Sequence, residues 1–350
     1  MKGKILEFLD FSYVRNVREK LLQTDVNKII VLGTPKHGNL GDQAIAYAQK
    51  LFIQKHFPNV EYVEIPAKDI LINLHNILKY ADSERDVLMY HGGGNLGDLY
   101  PAEERLRILS VFILAKRFKV ISFPQTMFLS ANQDKLSKIY SQRSKWFFTA
   151  RETISYKQLK AQFPQTGKVT LTPDIVLTQA NTVGESFARK GKGVLTLLRH
   201  DKEIARNPVE MELLIDDLRM RFGNVDMGDT HIGHEFEVNQ NNREKLLFDL
   251  WKTMSSHELI ITDRLHGMIF AYMTRTPVIV ANISNHKILS SYQDWLANQK
   301  GIYFLDNDNR IGLDDFLNTV QQTSREELFS NFDLEQFSPL VEKIRGAAYE

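Results

Sequence analysis

The apolar positions of the chain alternate between two periods. Residues 28–33 (KIIVLG), 60–65 (VEYVEI), 86–91 (DVLMYH), 119–123 (KVISF) and 145–149 (KWFFT) are short, nearly continuous apolar runs. Helix-period segments separate them, the first over 42–57. Such runs fit strands covered on both faces, and their alternation with helices predicts parallel βαβ units. A polar stretch without clear period follows at 178–192 (TQANTVGESFARKGK). The series then resumes at 193–199, 224–229, 258–262, 277–281 and 302–305, with helical patterns near 206–222, 242–255, 265–274 and 288–298. The last forty residues read as helical. The pattern predicts an α/β fold of two doubly wound domains, 1–178 and 193–350, joined by a linker at 179–192. The ligand is expected in the cleft between them, at the carboxyl ends of the strands.

Composition narrows the function classes. Lys plus Arg is 44 and Asp plus Glu is 43 in 350 residues, a net charge of +1 that offers no global field for nucleic acid or an anionic membrane. The absence of cysteine excludes disulfides, thiolate metal sites, iron–sulfur clusters and a cysteine nucleophile. No apolar run approaches the ~20 residues that span a bilayer. Glu7 and Asp10 interrupt the apolar character of the N-terminus, so it reads as an amphipathic helix of a cytoplasmic protein.

Four segments carry candidate chemistry. In 32–45 (LGTPKHGNLGDQAI), Gly38 and Gly41 permit close backbone approach, Asn39 adds a donor and an acceptor, and Asp42 is the expected helix cap. The turn's amides would serve an anion or a sugar hydroxyl. In 89–101 (MYHGGGNLGDLYP), Gly93, Gly94 and Asn95 suggest a Gly-rich floor for a small ligand, with His91 at the strand end. Its formal G-x-G-x-x-G lacks both the prompt helix and the later acid of a dinucleotide site. The pentapeptide GNLGD recurs at 38–42 and 94–98, each time after an expected strand, as if at two equivalent junctions. In 149–159 (TARETISYKQL), Arg151 stands where a strand gives way to a helix; it either pairs with Glu152 or points a guanidinium into the cleft.

The fourth segment, 260–267 (IITDRLHG), is the most specific. Asp263 is an expected cap, and Arg264 and His266 stand at a helix N-terminus that already favours anions. Lys287 follows the next strand. His231 and His234 lack a metal-ligand pattern, and no metal site is expected.

Together GNLGDQA, GGGNLGD before YP, Arg151-Glu152 with Ser155, TPDIVL at 172–177 and TDRLHG resemble the polysaccharide pyruvyltransferases. The resemblance implies a bacterial, cytoplasmic enzyme of exopolysaccharide or cell-wall polymer synthesis, peripheral to the inner membrane face. It implies two Rossmann-like domains facing across a cleft in a GT-B-like layout. It further implies transfer of a pyruvyl group from phosphoenolpyruvate, as co-substrate without cofactor, onto two sugar hydroxyls to give a ketal. His266 matches the catalytic histidine and Arg264 its neighbour; Arg151 and Lys287 fall where other cationic ligands of phosphoenolpyruvate are expected. Implied partners are a saccharide acceptor, free or lipid-linked, and other polysaccharide-assembly enzymes, with no nucleic acid.

The chemistry agrees with the residues. Phosphoenolpyruvate carries a carboxylate and a phosphate and needs fixed cations, and a histidine beside phosphate can act as general acid on its methylene carbon. Two rivals stand beside this reading: a GT-B glycosyltransferase using a nucleotide sugar, and a glycan-binding protein that has kept the fold.

Overall fold

Among the described residues, every pairing between strands is parallel. The computed structural model describes residues 11–349 apart from 98, 129–137, 139–141, 143, 188–190, 200–206, 234, 282–285 and 306–309. Among the described residues there are two sheets. The first holds β1 (Lys28–Thr34), β2 (Glu61–Pro66), β3 (Val87–Tyr90), β4 (Gly93–Gly97), β5 (Val120–Ser122), β6 (Gln125–Phe128), β7 (Trp146–Ala150) and β8 (Val169–Leu171). Its order is β2-β1-β3-β5-β7-β6-β4, with β8 also on β7. The second holds β9 (Val194–Leu197), β10 (Val225–Gly228), β11 (Leu259–Thr262), β12 (Val278–Ala281) and β13 (Ile302–Leu305), in the order β10-β9-β11-β12-β13. Strand order reverses between β1 and β3 in one half and between β9 and β11 in the other, the switch points at which doubly wound sheets bind ligands. Two Rossmann-like halves in a GT-B-like layout result.

The strands that the apolar pattern missed are β4, β6 and β8. β3 and β5 each break, at Gly92 and Pro124, and continue as β4 and β6, with Gly93 N donating to Pro124 O at 3.1 Å. The expected Gly-rich loop is therefore a strand. Its glycines serve strand approach: Gly97 has φ +106°, and a Cβ there would stand 1.9 Å from Phe128 O. The two GNLGD copies are consequently not equivalent, the first opening the helix Leu40–His56 and the second running along β4. Asp98 of the second copy lies outside the described residues.

Three further expectations are corrected. The stretch read as an irregular linker starts at the end of a 3₁₀ turn, Ile175–Gln179, and contains the helix Ala180–Phe187. Ala180, Val183 and Gly184 bury one face of that helix against Leu265–Met273, a spacing that the polar residues between them hide. The helix Ser338–Tyr349, expected with the second domain, returns to the first half: Lys343 Nζ donates to Gly167 O at 2.7 Å and Lys119 Nζ to Gly346 O at 3.1 Å. Asn39, not Asp42, caps Leu40–His56, its Oδ1 accepting from Gly41 N at 3.0 Å.

The halves share one contiguous apolar cluster, from Ile29 and Val31 through Ala44, Ala48 and Phe52 to Trp251, Ile260, Met268 and Val280. Beside it, Arg243 forks onto both oxygens of Glu64 at 2.7 and 3.1 Å and donates from Nε to Gln43 Oε1 at 2.7 Å. All three side chains are buried. Backbone bonds complete the junction: Leu40 N to Thr230 O at 2.8 Å, Ile232 N to Gly38 O at 3.0 Å and Val238 N to Lys36 O at 2.9 Å. No described helix is long and apolar enough to cross a membrane.

Candidate active site

The loops after β1, β3, β9 and β11 face one another across a cleft of ≈ 650 Å³. Lys36, Lys68, Arg151, Arg199, Arg264 and Lys287 line it, with only Asp42 and Glu103 as acidic lining among the described residues. In a chain of net charge +1 this is a local concentration of cations at the switch points.

At its base Asp174 joins the halves. Arg151, at the carboxyl end of β7, donates from Nη1 to Asp174 Oδ2 at 2.8 Å and from Nε to Thr126 Oγ1 at 2.7 Å. Its Nη2 lies beside Gly94, where a Cβ would stand 3.1 Å away. From the second half, His266 brings Nε2 within 3.4 Å of Asp174 Oδ2, near enough for an ion pair but too oblique for a hydrogen bond. Nε2 is sealed from solvent, and the other ring nitrogen, Nδ1, rests over Gly41. Burial alone would raise the Asp174 carboxyl, but His266, Arg151 and the Val176 amide outweigh it and hold it well below the usual carboxylate range. The carboxylate therefore stays ionised between a guanidinium and an imidazole.

Arg264 precedes the helix Leu265–Met273 and pairs with Asp229 at 2.8 Å, while its buried Nε has no hydrogen-bond partner among the described residues. Asp263 does not cap that helix; its Oδ1 accepts from Arg199 N at 2.8 Å and fixes the end of β9 beside β11. Lys287 is buried at the cleft wall as the first residue of Lys287–Ser291. His91 also reaches the cleft, with Nδ1 against Gln49 Oε1 at 3.0 Å. Burial and then the nearby Arg243 push it well below an ordinary histidine, so it is a neutral wall residue near pH 7.

The first Gly-rich turn does not offer a nest of open amides, because Leu40 N and Gly41 N are taken by Thr230 O and Asn39 Oδ1. The turn instead presents side chains: Asn39 Nδ2 donates to Asp42 Oδ2 at 2.9 Å, and both residues line the cleft. Gly94 and Asn95 line it too, while Gly41 and Gly93 lie behind the surface. Asn95 is engaged by Arg107, which donates to its backbone oxygen at 2.9 Å.

Sequence reasoning missed Asp174 as a site residue, although it stands in TPDIVL. It also offered Glu152 as a partner for Arg151. Glu152 instead caps Thr153–Gln162 through Ser155 N at 2.9 Å and lies 3.6 Å from His286 Nε2 of the second half. His286 carried no signal because it matters only through Glu152 of the other half, and Asp229 and Arg199 matter through Arg264 and Asp263 of their own half. His231 accepts from Gly233 N within its own loop at 3.1 Å, and His234 lies outside the described residues.

A GT-B-like α/β protein with a histidine–carboxylate–arginine cluster and further cations in its central cleft is the class that fold and site define. The polysaccharide pyruvyl transferase family pattern matches residues 39–285, and the chain belongs to that family of transferases. It is 33% identical over 340 residues to general stress protein 30 of Bacillus subtilis, covering 93% of this chain and 94% of that one. It is 28% identical over 284 residues to pyruvyl transferase 1 of Schizosaccharomyces pombe, covering 77% and 70%. Among solved structures, an uncharacterized protein of Klebsiella pneumoniae superposes with a TM-score of 0.56 at 18% identity, covering 85% of this chain and 100% of that one, a likeness of fold.

Proposed function

We propose that the chain transfers a pyruvyl group from phosphoenolpyruvate onto two hydroxyls of a saccharide, forming a ketal and releasing phosphate. The observation that carries this reading is the Arg151–Asp174–His266 chain, which joins a guanidinium and an imidazole from opposite halves through one buried carboxylate. Around it the cationic lining suits a ligand that carries both a carboxylate and a phosphate.

In this mechanism Arg151, Arg264 and Lys287 hold the donor. Arg151 Nη2, which bonds neither Asp174 nor Thr126, is a donor suited to its oxygens, and Arg264 and Lys287 add charge at the cleft wall. His266, as the imidazolium, gives its Nδ1 proton to the methylene carbon. That carbon becomes the methyl group, and the neighbouring carbon becomes an oxocarbenium centre that an acceptor hydroxyl attacks. Asp174 stabilises the charged imidazole from the Nε2 side. The C–O bond to phosphate then breaks with its electron pair leaving on phosphate. The second hydroxyl closes the ketal and returns a proton to His266.

The test is direct. Purified protein is incubated with phosphoenolpyruvate and saccharides, and phosphate release and ketal product are measured together. Phosphoenolpyruvate alone is expected to raise the melting temperature. Stabilisation by a nucleotide sugar instead, with no ketal formed, would return the chain to the glycosyltransferase reading.

A further inference from the structure

The mechanism above leaves one proton without a destination: that of the first hydroxyl to attack. We propose that Asp42 is the general base that receives it, an inference that rests on the pyruvyl-transfer reading. Asp42 belongs to the first half, on the turn that opens Leu40–His56, and lines the cleft. Its Oδ2 is held by Asn39 Nδ2 at 2.9 Å, with His37 Nε2 a further 3.7 Å neighbour. Oδ1 accepts no hydrogen bond from any described residue.

Glycines stand beside Oδ1 and beside Arg151 Nη2. A Cβ on Gly93 would lie 4.0 Å from Oδ1, and a Cβ on Gly94 would lie 3.1 Å from Arg151 Nη2. Gly94, on the cleft surface, therefore leaves room beside the guanidinium nitrogen, and Gly93 behind it keeps a side chain away from the carboxylate oxygen. The neighbouring residue, Gly41, is the one over which His266 Nδ1 rests. Acid and base thus line the same cleft from opposite halves, with His266 seated on the residue that precedes Asp42. Asn39 fixes the rotamer of the carboxylate through Oδ2 and leaves Oδ1 toward the cleft side of the turn as the basic oxygen. The pair His266 and Asp42 divides the work: a cation that gives a proton to carbon and an anion that takes one from oxygen.

The protons then balance. His266 loses one to the methylene carbon, and Asp42 gains one from the first hydroxyl as its oxygen bonds to the oxocarbenium carbon. The protonated Asp42 gives that proton to the departing phosphate. The second hydroxyl's proton restores the imidazolium. One phosphoenolpyruvate and one diol become one ketal and one phosphate, with both groups returned to their starting states.

The experiment uses the full chain, phosphoenolpyruvate and a mixture of methyl glycosides of glucose, galactose, mannose and N-acetylglucosamine. Wild type, Asp42→Asn and Asp42→Ala are compared for ketal formation, with phosphoenolpyruvate-induced thermal stabilisation as the control for fold and donor site. Both variants are expected to keep that stabilisation and lose about two to four orders of magnitude in kcat. Added formate is expected to restore part of the kcat of Asp42→Ala and to leave His266→Gln unrescued. Wild-type kcat in either variant would overturn the assignment, as would an unchanged kcat with a raised acceptor KM, which makes Asp42 a binding residue only. Absence of ketal from the wild type on every glycoside, with no stabilisation by phosphoenolpyruvate, would instead sink the pyruvyl-transfer reading on which this rests.

Discussion

Gly41 supports the imidazole of His266: a Cβ at position 41 would stand 2.5 Å from Nδ1, 2.9 Å from Cγ and 3.1 Å from the Cβ of His266. The glycine of one half is thus the seat of the other half's histidine. Ala is the better helix former by up to about 1 kcal/mol, so local propensity would favour Gly41→Ala. The collision works against it and falls on the ring and its root together, so the histidine must swing from Asp174 or the turn must shift. Gly41→Ala is expected to remain folded, with a melting temperature within a few degrees of wild type, and to lose at least tenfold in turnover. Wild-type turnover in this variant would show that the ring can take another position without cost.

Much of this arrangement was legible in the residues. The ten strands expected from apolar runs overlap observed strands, because a parallel strand covered on both faces has to be apolar along its length. The segment holding Arg264 and His266 was legible too, since a cationic pair at a helix start has little packing rationale. What escaped were properties that exist only in three dimensions. β4 and β6 lack apolar runs because glycine and proline let adjacent strands bend together. Asp174 looks like an ordinary turn residue, and its importance comes from Arg151 and His266, which meet it from two different halves. The cap falls on Asn39, three residues before the expected Asp42, because either side chain can accept from a first-turn amide and Asn39 Oδ1 reaches Gly41 N.

Asp174→Asn removes the charge between two cationic groups. Arg151 is almost fully buried, and losing its partner leaves a guanidinium uncompensated at a cost of about 3–5 kcal/mol. The pH dependence carries a second signature. The folded carboxyl lies below its unfolded value of about 3.9, so its contribution is complete above that pH. It is lost as pH falls below about 4 toward the folded value. Equilibrium unfolding across pH 3–7 is expected to show an acid loss in the wild type that is shallower in Asp174→Asn. Identical acid limbs would mean that Asp174 is not held ionised by its neighbours.

The buried fork between Arg243 and Glu64 makes a prediction about cooperativity. It ties the second half to β2 alongside the shared apolar cluster, and backbone bonds cross the same junction. The two halves are therefore expected to unfold in one calorimetric transition despite having separate sheets. Glu64→Gln keeps the shape but leaves Arg243 buried without a counter-charge, which costs about 3–5 kcal/mol. The single transition should move to lower temperature without splitting. Two resolved transitions in the wild type would show that the junction is weaker than the fold requires.

The sharpest test of the chemistry falls on His266. As a packing residue it would contribute a ring contact with Phe270, at 5.9 Å between centroids, and its replacement would cost stability while leaving the chemical step intact. As the acid that protonates the methylene carbon, it would be needed only in the transition state. The two roles separate in the kinetics: loss of a transition-state interaction lowers kcat and kcat/KM together, whereas loss of ground-state binding raises KM alone. His266→Gln is expected to fold, to keep its stabilisation by phosphoenolpyruvate and to lose about two to four orders of magnitude in kcat. His91 is no substitute, because burial holds it neutral while the chemistry needs a cation. A folded His266→Gln that binds phosphoenolpyruvate and forms ketal at the wild-type rate would remove the acid role from this residue and from the Asp174 contact behind it.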